Sequence, residues 1–159
     1  MIKKSSKSCV VLATILSVAV TLCGCSAKTS VATVFGVATG DKIRIEYDTT
    51  STDNSLYSED VEFYVGIKGE KPVLSGCFSN QEAWDYYSEV VRQTEDAEVL
   101  EYVETAGEEC IYYAIDSEVG MQYIKIFRVP KSNTFVILAS VKDKAEADAN
   151  FERLALSVE

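Results

Sequence analysis

Residues 98–104, 110–116, 121–129 and 134–141 form four β-rich runs in a row, joined by links short enough to be turns. Ala106-Gly107, residues 117–120 and residues 131–133 supply the turn chemistry. A parallel neighbour needs a crossover of about a dozen residues or more, so these runs must pair as an antiparallel meander. The second run, Ile111-Tyr112-Tyr113-Ala114-Ile115, is apolar at every position. A half-solvated strand would alternate, so this pattern predicts a sheet covered on both faces.

The rest of the chain fits around that meander. Residues 34–38 start a first strand, and residues 42–47 alternate cleanly, placing Ile43, Ile45 and Tyr47 on one face. Residues 48–60 read as a polar loop; residues 61–67 and 73–78 are β-rich again, turned by residues 69–72. Ser79 with Glu82 forms a capping box at the start of a helix whose stripe is Ala83, Tyr87, Val90/Val91 and Thr94, with Trp84 beside it. Glu82, Asp85, Glu89 and Arg92 take the opposite side. A second box, Asp143 with Glu146, opens a last helix with Ala147, Phe151 and Leu154 as its core stripe. The order predicts an α+β domain: an antiparallel β-sheet of about six to seven strands with two main helices packed on it.

The first residues belong to a different logic. Lys3, Lys4 and Lys7 precede residues 9–22, which hold no charge, no Pro and no Gly. A basic start, an apolar run and small residues at its end are the three parts of a secretory signal. A membrane span needs roughly 20 apolar residues, and this run is shorter. Leu22-Cys23-Gly24-Cys25 then resembles the bacterial lipobox: a Leu three before the cysteine, small residues between, then Cys. That resemblance implies diacylglyceryl transfer to the Cys25 sulfur and cleavage after Gly24, with palmitate-type acylation holding the chain on the extracytoplasmic side of the cell membrane. Lipidation at Cys23 instead would put bulky Leu22 just before the cut, which the pattern does not tolerate. Residues 1–24 are then the signal, residues 25–33 the anchor and a short polar tether, and residues 34–159 a single globular domain.

All 25 acidic residues follow Cys25, while three of the 15 basic ones precede it. The exported part therefore carries 12 basic against 25 acidic residues, a net charge of −13. Nucleic acid is excluded as a partner, since it demands a basic face, and so is lying flat on anionic lipid. After the anchor only Cys77 and Cys110 remain. In an exported domain they suggest a disulfide, and closing a loop of about 34 residues would stabilise by up to roughly 4 kcal/mol. Two buried thiols are the other reading, since Cys packs as a small hydrophobe.

The element order, the Asn133-Thr134-Phe135 turn into an apolar strand and the ending Phe151-Glu152-Arg153-Leu154-Ala155-Leu156-Ser157 are similar to the PsbP-like domains, over residues 34–159. That resemblance implies a binding or assembly accessory rather than an enzyme, and no functional residues carry over from it.

The chain contains no histidine. That removes Ser-His-Asp triads, Cys-His pairs and the usual imidazole metal ligands, and no phosphate-binding glycine loop is present. No catalytic residue, cofactor or metal site is therefore assigned, although a carboxylate pair could in principle hydrolyse a glycoside. Residues 48–59 place Asp48 and Glu59 at the first and last positions of a calcium loop, but Asp53 stands where the turn needs Gly, so a surface loop is expected. The acidic run through Glu95, Asp96, Glu98, Glu101, Glu104, Glu108 and Glu109 reads as a solvated sheet edge, with a docking surface for a basic partner as the sharper alternative. Tyr112 and Tyr113, being neighbours on a strand, must point to opposite faces. Together these features predict a monomeric, membrane-tethered module with an envelope protein as partner. A small-molecule or sugar receptor is the alternative; it requires a concave pocket of about 300–1,000 Å³.

Overall fold

A computed structural model describes residues 30–50 and 52–159. The expected signal of residues 1–24, the expected lipidation position Cys25 and residues 26–29 of the expected tether lie outside the described residues. No helix among the described residues is long and apolar enough to cross a membrane.

The domain is α+β, but among the described residues it has ten strands in two antiparallel sheets rather than about six to seven in one. Strands β1 (Ser30–Gly36), β2 (Lys42–Asp48) and β10 (Leu154–Val158) form a small sheet in the order β1-β2-β10. The large sheet takes in β3 (Ser55–Glu59), β4 (Glu62–Gly66), β5 (Leu74–Ser79), β6 (Ala97–Val103), β7 (Cys110–Ser117), β8 (Gly120–Arg128) and β9 (Phe135–Ser140). Its order is β3-β4-β5-β9-β8-β7-β6, so the expected meander is its second half. Helix α1 (Gln81–Gln93) crosses from β5 to the far edge strand β6, and α2 (Lys144–Glu152) leads into β10.

Both faces of the large sheet are covered, as the apolar β7 run requires. On one face the small sheet packs Phe35, Ile43, Ile45 and Tyr47 against Phe63, Val65, Leu74, Phe78, Val136 and Leu138. On the other, α1 lays Trp84 and Val91 over Ile111, Tyr113, Ile126 and Phe135. Strand β9 serves both layers through alternation, with Phe135 and Ile137 facing the helix and Val136 and Leu138 facing the small sheet. Each large side chain sealed in this way contributes roughly 1.5–3 kcal/mol. Gly76 is needed for the first layer, because the Phe63 ring occupies the space that a Cβ would take. Two polar pairs lock the layers together. Tyr47 donates to Asn150 of α2 at 3.2 Å, and Thr134 donates to Asp41 at 2.9 Å, tying the β1–β2 turn to the start of β9.

Several expected boundaries move. Strand β1 begins at Ser30, inside what reads as tether. The polar loop of residues 48–60 contains β3, whose Leu56 packs on the core while Glu59 pairs with Glu62. That strand takes the second half of the candidate calcium loop, and Asp48 accepts instead from the Thr50 amide two residues on. Leu154 is not the end of a helical stripe: α2 stops at Glu152, and residues 154–158 pair with β2. Helix α1 is capped by Asn80, whose side chain accepts from the Ala83 amide, while Ser79 stays in β5 opposite Phe135. Asp143 caps α2 as expected, accepting from the Glu146 amide at 3.0 Å.

Candidate functional site

The small sheet covers only part of its face of the large sheet. Beyond it, over β6, β7 and β8, lies a groove of about 730 Å³ walled on one side by α2. Its floor follows from strand register. Glu101, Tyr112, Lys125 and Leu138 stand opposite one another across four strands, and Cys110 and Phe127 form the next row. Their neighbours Ile111, Tyr113 and Ile126 point the other way, under α1. On α2, Asp148, Phe151 and Glu152 share one face because they are three and four residues apart, and all three line the groove. Gly107, Glu108, Pro130 and Lys131 close one end.

Tyr112 is the centre of this arrangement. Its ring meets Phe151 edge-on at 5.7 Å, and its hydroxyl donates to Asp148 at 2.7 Å. Lys125 and Lys144 both hold their ammonium groups over the ring, at 5.8 and 5.6 Å. Burial, then the hydrogen bond to Asp148, pushes the Tyr112 phenol far above its ordinary range. Lys144, 2.6 Å from Asp148, is the main cause holding that carboxyl below its usual range, and the Tyr112 hydroxyl helps. Lys125 reaches Glu101 at 3.5 Å, a loose and partly exposed pair.

A second cluster closes the end. Arg128 grips Glu109 through two bonds, Nε to Oε2 at 2.6 Å and Nη2 to Oε1 at 2.7 Å. The Gly107 amide donates to the same carboxylate at 2.9 Å. Arg128 also donates to Gln81 at the start of α1 and to the Ser132 carbonyl, and its guanidinium lies 4.5 Å over the Phe135 ring. The Arg128 bond lowers the Glu109 carboxyl to about 2, against the opposing effect of burial. Glu109 is therefore not part of a solvated edge, whereas Glu98, Glu101, Glu104 and Glu108 are exposed on or beside edge strand β6.

Cys77 and Cys110 are not bridged to each other. They stand on β5 and β7, with β9 and β8 between, and alternate to opposite faces of the sheet. Three strand spacings of about 4.8 Å exceed the roughly 7 Å across which a disulfide can close. The expected bridge is thereby corrected to the alternative of separate thiols. Cys110 lies in the groove, where burial pushes its thiol up to about 11. Among the described residues no group of three or more His, Cys, Asp or Glu side chains could hold a metal ion.

Sequence reading singled out Tyr112, Cys110 and the acidic run without joining them. It missed Lys125, Phe127 and Asp148, which no local motif marks and which only the register and the α2 docking bring together. No protein-family model, curated protein or solved structure matches the chain.

Proposed function

We propose that this chain is a lipid-anchored binding module on the extracytoplasmic face of a cell membrane, and that the groove over Tyr112 holds a segment of an envelope protein. The observation that carries this reading is the groove itself: apolar floor residues beside a few convergent polar groups, in a volume typical of binding sites. Its position supports the same reading. Strand β1, the first described element after the tether, packs against β3 at one edge of the large sheet, and the groove lies over the strands at the other. Four to six strand spacings put it roughly 20–30 Å away, facing a partner rather than the anchoring lipid.

Binding rather than catalysis is supported by the state of the titratable groups. Glu109 and Asp148 are held ionised by Arg128 and Lys144, and Cys110 and Tyr112 are held protonated. None of these four is poised to exchange a proton near neutral pH. The α+β, sheet-dominated architecture is the part of the PsbP-like resemblance on which this proposal of a monomeric accessory domain draws, and the Leu22-Cys23-Gly24-Cys25 run supports the anchor. The volume also suits a second reading, a small-molecule or sugar receptor.

Chemical cross-linking of the tagged full chain on its own cells, beside a Cys25→Ser control, tests the main reading. Capture of one envelope protein through groove residues, lost when Cys25→Ser leaves the membrane fraction, is the expected result. A wild-type chain absent from the membrane fraction refutes the anchor. Thermal shifts with sugars or amino acids, and no protein captured, would move the assignment to the receptor.

A further inference from the structure

The charges around the groove point to the kind of segment it takes. Its lining holds five acidic side chains against three basic ones. Most of these are already committed: Arg128 to Glu109, Lys144 from outside the lining to Asp148, and Lys125 loosely to Glu101. Glu108 and Glu152 carry no ion pair among the described residues, and they stand at the turn and on the α2 wall. Glu98, exposed on β6 and paired with Ala114, shares the face of Glu101 and extends the negative edge. Between these acids lie Phe127 and Leu138 on the floor and Phe151 on the α2 wall. An acidic partner would meet Glu108 and Glu152 unpaired and Glu101 only loosely held, against Lys131 as the one lining cation without an ion pair among the described residues, so the open charges favour a cation.

We infer that the groove, taken as the binding site proposed above, selects a basic peptide segment whose lysine or arginine side chains reach Glu101, Glu108 and Glu152 while an apolar side chain lies on Phe127 and Phe151. The loose Glu101–Lys125 contact favours exchange. At 3.5 Å and with both side chains substantially exposed it contributes little, so an incoming cation can take over Glu101 without a large penalty. The face of Tyr112 is already taken by the chain's own ammonium groups, so the ligand's cations belong at the walls and its apolar part at the floor.

Two short synthetic peptides test this with the full chain in detergent. One alternates lysine with phenylalanine and leucine, the other has glutamate in place of lysine, and both carry a diazirine so that the residues they touch are read by mass spectrometry. The lysine peptide is expected to bind about tenfold or more tighter at low salt, as two or three exposed charge pairs allow. Its advantage shrinks with added salt, its diazirine inserts into the groove lining, and E101Q/E152Q, both at exposed positions, abolishes most of the preference. Insertion of both peptides into the groove with equal affinity would overturn the basic segment and leave the groove as the site. Insertion of both elsewhere would overturn the groove reading as well. A preference for the lysine peptide that survives E101Q/E152Q would overturn the assigned carboxylates.

Discussion

Lowering the pH should weaken this fold through Glu109, and by an amount the geometry sets. The carboxyl sits at about 2 in the folded chain against 4.5 for an unpaired glutamate, chiefly because Arg128 donates two bonds to it. A folded-state value below the unfolded one means the unfolded chain binds the proton more readily. The stabilisation is therefore complete well above pH 4.5 and is lost as the pH falls from there toward 2. At pH 3 the unfolded carboxyl would be about 97% protonated and the folded one about 9%, which integrates to about 2 kcal/mol. The side chains of Arg128 and Glu109 are only 13% and 9% exposed, so screening by solvent at the groove rim trims this modestly, to about 1–2 kcal/mol. Equilibrium urea unfolding of wild type and Glu109→Gln at pH 7 and pH 3 reads it directly. The variant should be less stable at pH 7, by about 1–3 kcal/mol, because a neutral amide cannot receive the charged fork. It should then lose about 1–2 kcal/mol less than wild type on going to pH 3. Asp148 also loses its advantage in acid, but equally in both proteins, so the difference isolates Glu109. Equal losses in the two proteins would refute the reasoning.

Other consequences can be checked separately. Gly76→Ala drives a methyl into the fully buried Phe63 ring and should cost about 1–3 kcal/mol in urea unfolding. Asn80→Ala should cost about 1 kcal/mol by removing the α1 cap, while Ser79→Ala should cost roughly 0.5 or less, reversing the ranking the capping-box pattern suggests. Iodoacetamide at pH 8 should alkylate Cys110 about a hundredfold more slowly than an ordinary exposed thiol, since its value near 11 leaves very little thiolate. Digestion of the unfolded, non-reduced chain should yield no disulfide-linked peptide joining Cys77 to Cys110 by mass spectrometry.

How much of this was legible beforehand depended on whether the signal was local. The meander β6–β9 and the doubly covered sheet came straight from turn spacing and from the unbroken apolar run in β7, because both are properties of neighbouring residues. Strand β3 escaped because Ser55-Leu56-Tyr57-Ser58-Glu59 offers a single aliphatic residue to the core and otherwise looks like loop. Strand β10 escaped for the opposite reason. Leu154 lies three residues after Phe151, so the helical period runs on without a break, and only pairing with β2 shows that Leu154 and Leu156 alternate instead. Ser79 and Asn80 are both good caps. The Ser79–Glu82 spacing favoured the wrong one, because β5 holds Ser79 in register with Phe135. The two cysteines suggested a bridge by count alone, and nothing local reveals that strand order places β9 and β8 between them. The groove had no signature at all, since its parts span residues 101–152 and meet only through register and the docking of α2.

The central claim, that the groove over Tyr112 is where this tethered module meets its partner, is best tested by site-specific photo-cross-linking in the host's own cells. A photoreactive amino acid is placed at Lys131 on the groove rim or at Tyr86, which is 63% exposed on α1 against the opposite face of the sheet. The account predicts a defined protein adduct from the Lys131 position, with a basic segment as the attached peptide, and none from Tyr86. A specific adduct from Tyr86 with nothing from Lys131 would place the interaction on the α1 face and contradict it.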